Sequence, residues 1–98
     1  MQNFSLDSCV ELLSRLVATP SVSGSEGGTA DILFDTLSQH GAKVNRLYNN
    51  IWVLSDGFDA TKPTLLLNSH HDTVKPAGGY TFDPYSGAVE DEKILGLG

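Results

Sequence analysis

The chain has 98 residues, 40% of them hydrophobic and 18% charged, which makes it one domain at most and excludes intrinsic disorder. Its net charge of −6 leaves no basic stripe for nucleic acid or an anionic membrane to bind. One cysteine, Cys9, excludes an intrachain disulfide and fits a reducing, cytoplasmic setting; with no basic residue before Arg15 and no long apolar run, neither a signal peptide nor a spanning helix is expected.

Leu6, Cys9, Val10, Leu13, Leu16 and Val17 recur at three- and four-residue steps, which predicts an amphipathic helix with a buried, inert Cys9 thiol on its apolar face. Ser8 with Glu11 has capping-box spacing, and Ser5 would cap a helix that starts earlier. Pro20 stops this helix near Ala18. Residues 19–28 are rich in Ser, Gly and Thr and read as a loop. A second helix follows, with Ala30, Leu33, Phe34 and Leu37 on one face and Gly41 placed to end it. Its first turn starts somewhere between Ser25 and Thr29, because Gly27 and Gly28 weaken the local signal.

After Gly41 the period changes. Val44 and Leu47 mark a short strand, Asn49-Asn50 a turn, and Ile51-Trp52-Val53-Leu54 a second strand. Residues 65–68 then read as a buried strand at the centre of a sheet, with few strands to flank it. Residues 75–86 are irregular. Ala88-Val89 and Ile94-Leu95 predict two short strands around a turn at Asp91-Glu92. Helices and strands together in one small chain imply an α/β layered domain.

The apolar run ends in Asn68-Ser69-His70-His71-Asp72. Residues two apart in a strand share a face, so His70 and Asp72 point one way and His71 the other. An imidazole that binds a metal through one nitrogen commonly donates its other N–H to a carboxylate. His70 is therefore the candidate metal ligand, and Asp72 the carboxylate that works with it. Taken alone, the triplet is more often the mark of a histidine hydrogen-bonded at a strand end. Its place at a strand exit strengthens the ligand reading, because ligands collect where such strands open into a crevice. His71 is read as a packing or surface residue. His40, just before Gly41, is read as a partner of the terminal carbonyls of the second helix.

Other chemistries find less support. The segment Ser23-Gly24-Ser25-Glu26-Gly27-Gly28 follows a helix and matches no phosphate-binding pattern. Glu26 reads as a helix cap or a solvated side chain. Ser69 does not sit in a nucleophile elbow, and Cys9 has no adjacent charge to activate it.

The flanking residues carry a resemblance. The run His70-His71-Asp72-Thr73-Val74, the step Asp83-Pro84-Tyr85 and the closing Gly96-Leu97-Gly98 resemble a family of dinuclear zinc hydrolases. That family includes acetylornithine deacetylase, succinyl-diaminopimelate desuccinylase and the aminoacylases. Pro20-Ser21-Val22-Ser23-Gly24-Ser25-Glu26 is similar to the family's first interhelical loop. The resemblance covers residues 6–98 and is nearest to the acetylornithine deacetylase branch.

As a fold, the resemblance implies the N-terminal part of a helix-sheet-helix catalytic domain of the α/β class. Residues 1–98 would form an incomplete portion of that domain, with the dimerisation domain absent. It implies that His70 is the first ligand of a two-metal site holding zinc, with cobalt as an alternative, and that Asp72 orients its ring. The expected reaction is hydrolysis of an N-acyl amino acid of the acetylornithine deacetylase kind, with a dipeptidase or desuccinylase of the same family as the alternative, the complete protein a homodimer, and neither nucleic acid nor membrane as partner. The loop from Tyr80 to Tyr85 would pack near the cleft without ligating metal. In the family, a proline stands one residue nearer the motif than here, where Lys75 intervenes. A metal-bridging aspartate, the glutamate general base and the remaining ligands would all lie beyond Gly98. The 98 residues alone are thus expected to be inactive and to hold zinc weakly or not at all. A second expectation, of another class, is a non-catalytic module that binds a partner chain through an unfinished sheet edge.

Overall fold

Ser5 starts the first helix. Its side chain accepts a hydrogen bond from the Ser8 amide at 3.1 Å, which satisfies one of the donors left free in the first turn. In the computed structural model, which describes residues 4–97, helix α1 then runs over Leu6–Val17. Asp7 in its first turn and Arg15 in its last complement the helix dipole. The helix closes at Ala18, two residues before Pro20. Of its apolar stripe, Val10, Leu16 and Val17 are half-buried, whereas Leu6, Cys9 and Leu13 are exposed. The expectation of a buried Cys9 is therefore corrected: no element of the described chain covers that side of α1, and the thiol faces solvent.

Helix α2 spans Gly27–Gln39. Glu26 occupies its N-cap position without making a side-chain cap bond. Its end is a Schellman motif. Gly41, at φ 83°, donates to the Ser38 carbonyl at 3.0 Å, and Ala42 donates to Leu37 at 3.1 Å. His40 turns Nδ1 back to the Thr36 carbonyl at 2.9 Å, the terminal role that its position suggested. Helix α1 packs on α2, and Arg15 reaches across to Thr36 Oγ1 at 3.4 Å.

Strands β1 (Asn45–Leu47) and β2 (Asn50–Trp52) form an antiparallel hairpin that pairs Leu47 with Asn50. The turn sits on Tyr48 and Asn49, one residue earlier than expected, because Tyr48 takes up the left-handed conformation at φ 55°. Strand β2 lies against α2. Arg46 on β1 ties the hairpin to α2, with Nη1 on Asp31 at 2.6 Å and Nε donating to the Tyr48 carbonyl of the turn at 2.7 Å. A second hairpin pairs β3 (Val89–Glu90) with β4 (Lys93–Ile94), as the sequence predicted. Ser14 anchors it to α1 by donating to the Gly87 carbonyl.

The main correction concerns residues 65–68. They form no strand, and Leu65, Leu66 and Leu67 are 84%, 79% and 85% exposed. A strand exists only through a ladder to a neighbour, and neither hairpin pairs with this segment. The layered α/β expectation is met only as a mixture of two helices and two small two-stranded sheets. Among the described residues Ala30 is the buried hydrophobic side chain, beside the buried polar residues Ser21, Thr29 and Thr36. No helix among the described residues is long and apolar enough to cross a membrane.

Candidate functional site

The segment that leaves Leu67 is held by the loop between the two helices. The Thr73 amide donates to the Ser21 carbonyl at 2.8 Å, and Ser21 Oγ donates to the His71 carbonyl at 2.9 Å. Val22 and Thr73 form an isolated parallel bridge. Ser21, 2% exposed, is thus a buried polar residue with its hydrogen-bonding groups matched across 50 residues of sequence.

On this frame the two side chains that were expected to share a face do so. His70 Nδ1 lies 2.9 Å from Asp72 Oδ1 and 3.0 Å from the Asp72 carbonyl. Carboxylate and carbonyl oxygens only accept, so Nδ1 carries a proton, and in the neutral ring Nε2 keeps its lone pair. The other carboxylate oxygen, Asp72 Oδ2, accepts from Ser23 Oγ at 2.5 Å. The Ser23 hydroxyl first, and the His70 ring after it, hold the Asp72 carboxyl below its ordinary range.

His71 faces the opposite way and is fully engaged. Nε2 donates to the Asn49 carbonyl at 2.8 Å, and Nδ1 meets the Thr29 hydroxyl at 2.7 Å. With both ring nitrogens spent, His71 fastens the segment to the β1–β2 turn and to the start of α2. Glu26 was a residue to which the sequence lent little weight. Its Oε1 accepts from the Gly24 amide at 2.6 Å, and Oε2 accepts from Asn49 Nδ2 at 3.1 Å. The Gly24 bond is the main cause that lowers its carboxyl from the ordinary value.

Together these residues line an open cleft of about 560 Å³ whose walls include Glu26, Asn49, Trp52, Asn68, His70 and Asp72. Chemically, the cleft offers one imidazole nitrogen with its tautomer set and two carboxylates already in use. Among the described residues, no group of three or more His, Cys, Asp or Glu side chains is placed to hold a metal ion. A catalytic zinc takes three protein ligands and a water. The donors fit one position of such a site, through His70 Nε2, and do not make a whole one. Ser21, Ser23 and Thr29 were missed as supports of the site because their partners lie 42 to 50 residues away. The only sequence signal near them was the likeness of residues 20–26 to an interhelical loop.

Comparison with known proteins bears on the whole stretch. The similarity is to succinyl-diaminopimelate desuccinylases. The chain is 33% identical over 104 residues to the one from Ehrlichia chaffeensis, with 91% of the chain and 25% of the relative covered. It is 32% identical over 104 residues to that of Ehrlichia canis, with the same coverage. It is 32% identical over 101 residues to that of Beijerinckia indica, covering 94% of the chain and 26% of the relative. The chain thus spans about a quarter of the length of these desuccinylases. The relatives support the broad desuccinylase–deacetylase family and do not single out its acetylornithine branch. No family model matches the chain, and no solved structure matches it.

Proposed function

We propose that this chain belongs to the desuccinylase–deacetylase family and supplies part of the site of a metal-dependent hydrolase. The reaction is cleavage of the amide bond of an N-acyl amino acid. The observation that carries the reading is the 2.9 Å bond from His70 Nδ1 to Asp72 Oδ1. It leaves Nε2 as a donor on a residue that lines the cleft. His70 would hold zinc through that nitrogen, with cobalt as the alternative, and Asp72 would keep the ring in the required tautomer. When bound, the metal's chemistry is to polarise the amide carbonyl and to acidify a water molecule.

The substrate of the matched relatives, as their name states it, is succinyl-diaminopimelate. An N-succinyl diamino acid is therefore the first substrate to test, with N-acetylornithine, which the sequence motifs favour, as the second. In the complete open reading frame loaded with zinc, His70→Ala should lower turnover of the preferred substrate by more than about 100-fold. That exceeds the 10–100-fold typical of losing an outer-shell partner. Unchanged release of succinate or acetate by the variant would remove His70 from the site.

A second reading, a non-catalytic module that pairs with another chain, draws on the exposure of Leu65, Leu66 and Leu67. Metal-dependent turnover of either substrate by the wild type would exclude it.

A further inference from the structure

The Asp72 carboxylate is gripped at both oxygens by residues from different parts of the chain. Oδ1 takes the His70 Nδ1 proton at 2.9 Å, and Oδ2 takes the Ser23 hydroxyl proton at 2.5 Å. The His70–Asp72 pair is open to water, with the two side chains 83% and 37% exposed. Pairs so exposed contribute little by themselves. The terminal torsion of an aspartate is also a broad, soft rotor. Left with His70 as its only partner, the carboxylate would turn away, and the ring would keep only the Asp72 backbone carbonyl, at 3.0 Å, to select its tautomer.

Ser23 removes that freedom, and it does so from a fixed platform. Val22 is bridged to Thr73, Ser21 is bonded to both His71 and Thr73, and the Ser25 amide closes a turn on the Val22 carbonyl at 2.8 Å. Gly24, at φ 87°, lets the chain reverse directly after Ser23, and its amide is clamped by Glu26 at 2.6 Å. The hydroxyl is therefore presented by a braced turn, 49 residues away from its acceptor in sequence.

We propose that Ser23 is a positioning residue for His70: by pinning Asp72 Oδ2 it holds Oδ1 on Nδ1, and so keeps Nε2 deprotonated as the donor for a divalent metal. The inference rests on the reading of His70 as a metal ligand, and it can be tested without metal or turnover.

The test is the tautomer of His70 in the ¹⁵N-labelled chain. Long-range ¹H–¹⁵N spectra read it at a fixed pH of about 9, where an imidazole of ordinary pKa is neutral. In the wild type the Nδ1–H form of His70 should predominate, the reverse of the preference of a free imidazole. Ser23→Ala should cut the ratio of Nδ1–H to Nε2–H at least roughly twofold, the lower end of what one net hydrogen bond is worth. Ser23→Thr, which keeps the hydroxyl, should retain the wild-type ratio. Ser23→Val, which has the shape of that threonine without the hydroxyl, should behave as Ser23→Ala. Amide ¹H–¹⁵N dispersion is the control for folding, since His71 is Nε2–H both when bonded to the Asn49 carbonyl and when free. Asp72→Ala should cut the bias at His70 at least as far as Ser23→Ala does, leaving only the Asp72 backbone carbonyl as acceptor. If Asp72→Ala shifts the ratio and Ser23→Ala does not, the role of Ser23 is overturned while the His70–Asp72 pair stands. If Asp72→Ala has no effect either, the pair fails, and the metal-ligand reading loses its support with it.

Discussion

Glu26 spends both oxygens on its surroundings, one on the Gly24 amide and one on Asn49, which joins the interhelical loop to the β1–β2 turn. These bonds exist for the carboxylate, and they lower its pKa below the ordinary 4.5. A group whose folded pKa is depressed adds stability that is fully present above its unfolded value. That stability is lost as pH falls through the folded value. The chain should therefore lose stability from about pH 4.5 downwards, and Glu26→Gln should flatten that part of the profile, as melting temperatures between neutral and acid pH would show. An unchanged acid slope in the variant would mean that the two bonds do not persist in solution. At this scale the pairing of His70 with Asp72 was legible in advance from their two-residue spacing, although the segment forms no strand and the 2.9 Å bond between them is what joins the two side chains. The partners of Ser23, Thr29 and Glu26 were not, because a hydroxyl or carboxylate has no sequence pattern that names an acceptor dozens of residues away.

The hairpins show what an element owes to local chemistry. The turn between β3 and β4 places Asp91 at φ 49° and Glu92 at φ 61°, both left-handed, as a two-residue turn between right-twisted strands demands. Aspartate tolerates that region, whereas glutamate is strained there. Glu92→Gly should raise stability by about 0.5–1 kcal/mol, relief of the strain outweighing the extra backbone entropy of glycine. A thermal melt would register a rise of a few degrees, and a fall would show that the Glu92 side chain makes a contact worth more than the strain. Both helices, the Gly41 stop and this hairpin were legible, since turn residues and periodicity act within a few residues, whereas the cap of α1 was left open between Ser5 and Ser8 and the structure places it on Ser5. The strand at residues 65–68 was misjudged for the opposite reason. Its leucines report that the segment is apolar, but a strand also needs a neighbour, and that is a property of the assembly.

At the scale of the whole molecule the chain is open. Its radius of gyration is 15.3 Å, where a folded chain of this length has about 12.5 Å. It exposes 7323 Å², against about 5,400 Å² for a self-contained protein of this mass. Much of the apolar content lies outside any core, with Leu65, Leu66 and Leu67 each nearly four-fifths exposed or more. Leu66→Ala should then change the stability of the chain by less than about 0.5 kcal/mol. A buried leucine loses about 2–5 kcal/mol on the same substitution. Chemical denaturation distinguishes the two, and a loss of 2 kcal/mol or more would show that the segment is packed. The sequence by itself determined that two helices form and where they end, roughly where the chain reverses, and that one histidine and one aspartate would meet on a common face. Each of these depends on interactions across a few bonds. Only the tertiary structure decided that a braced serine turn grips the far oxygen of that aspartate, that the neighbouring histidine is consumed in holding the frame, and that the leucine run lies bare. Those outcomes depend on which distant segments come together, and no local preference encodes that.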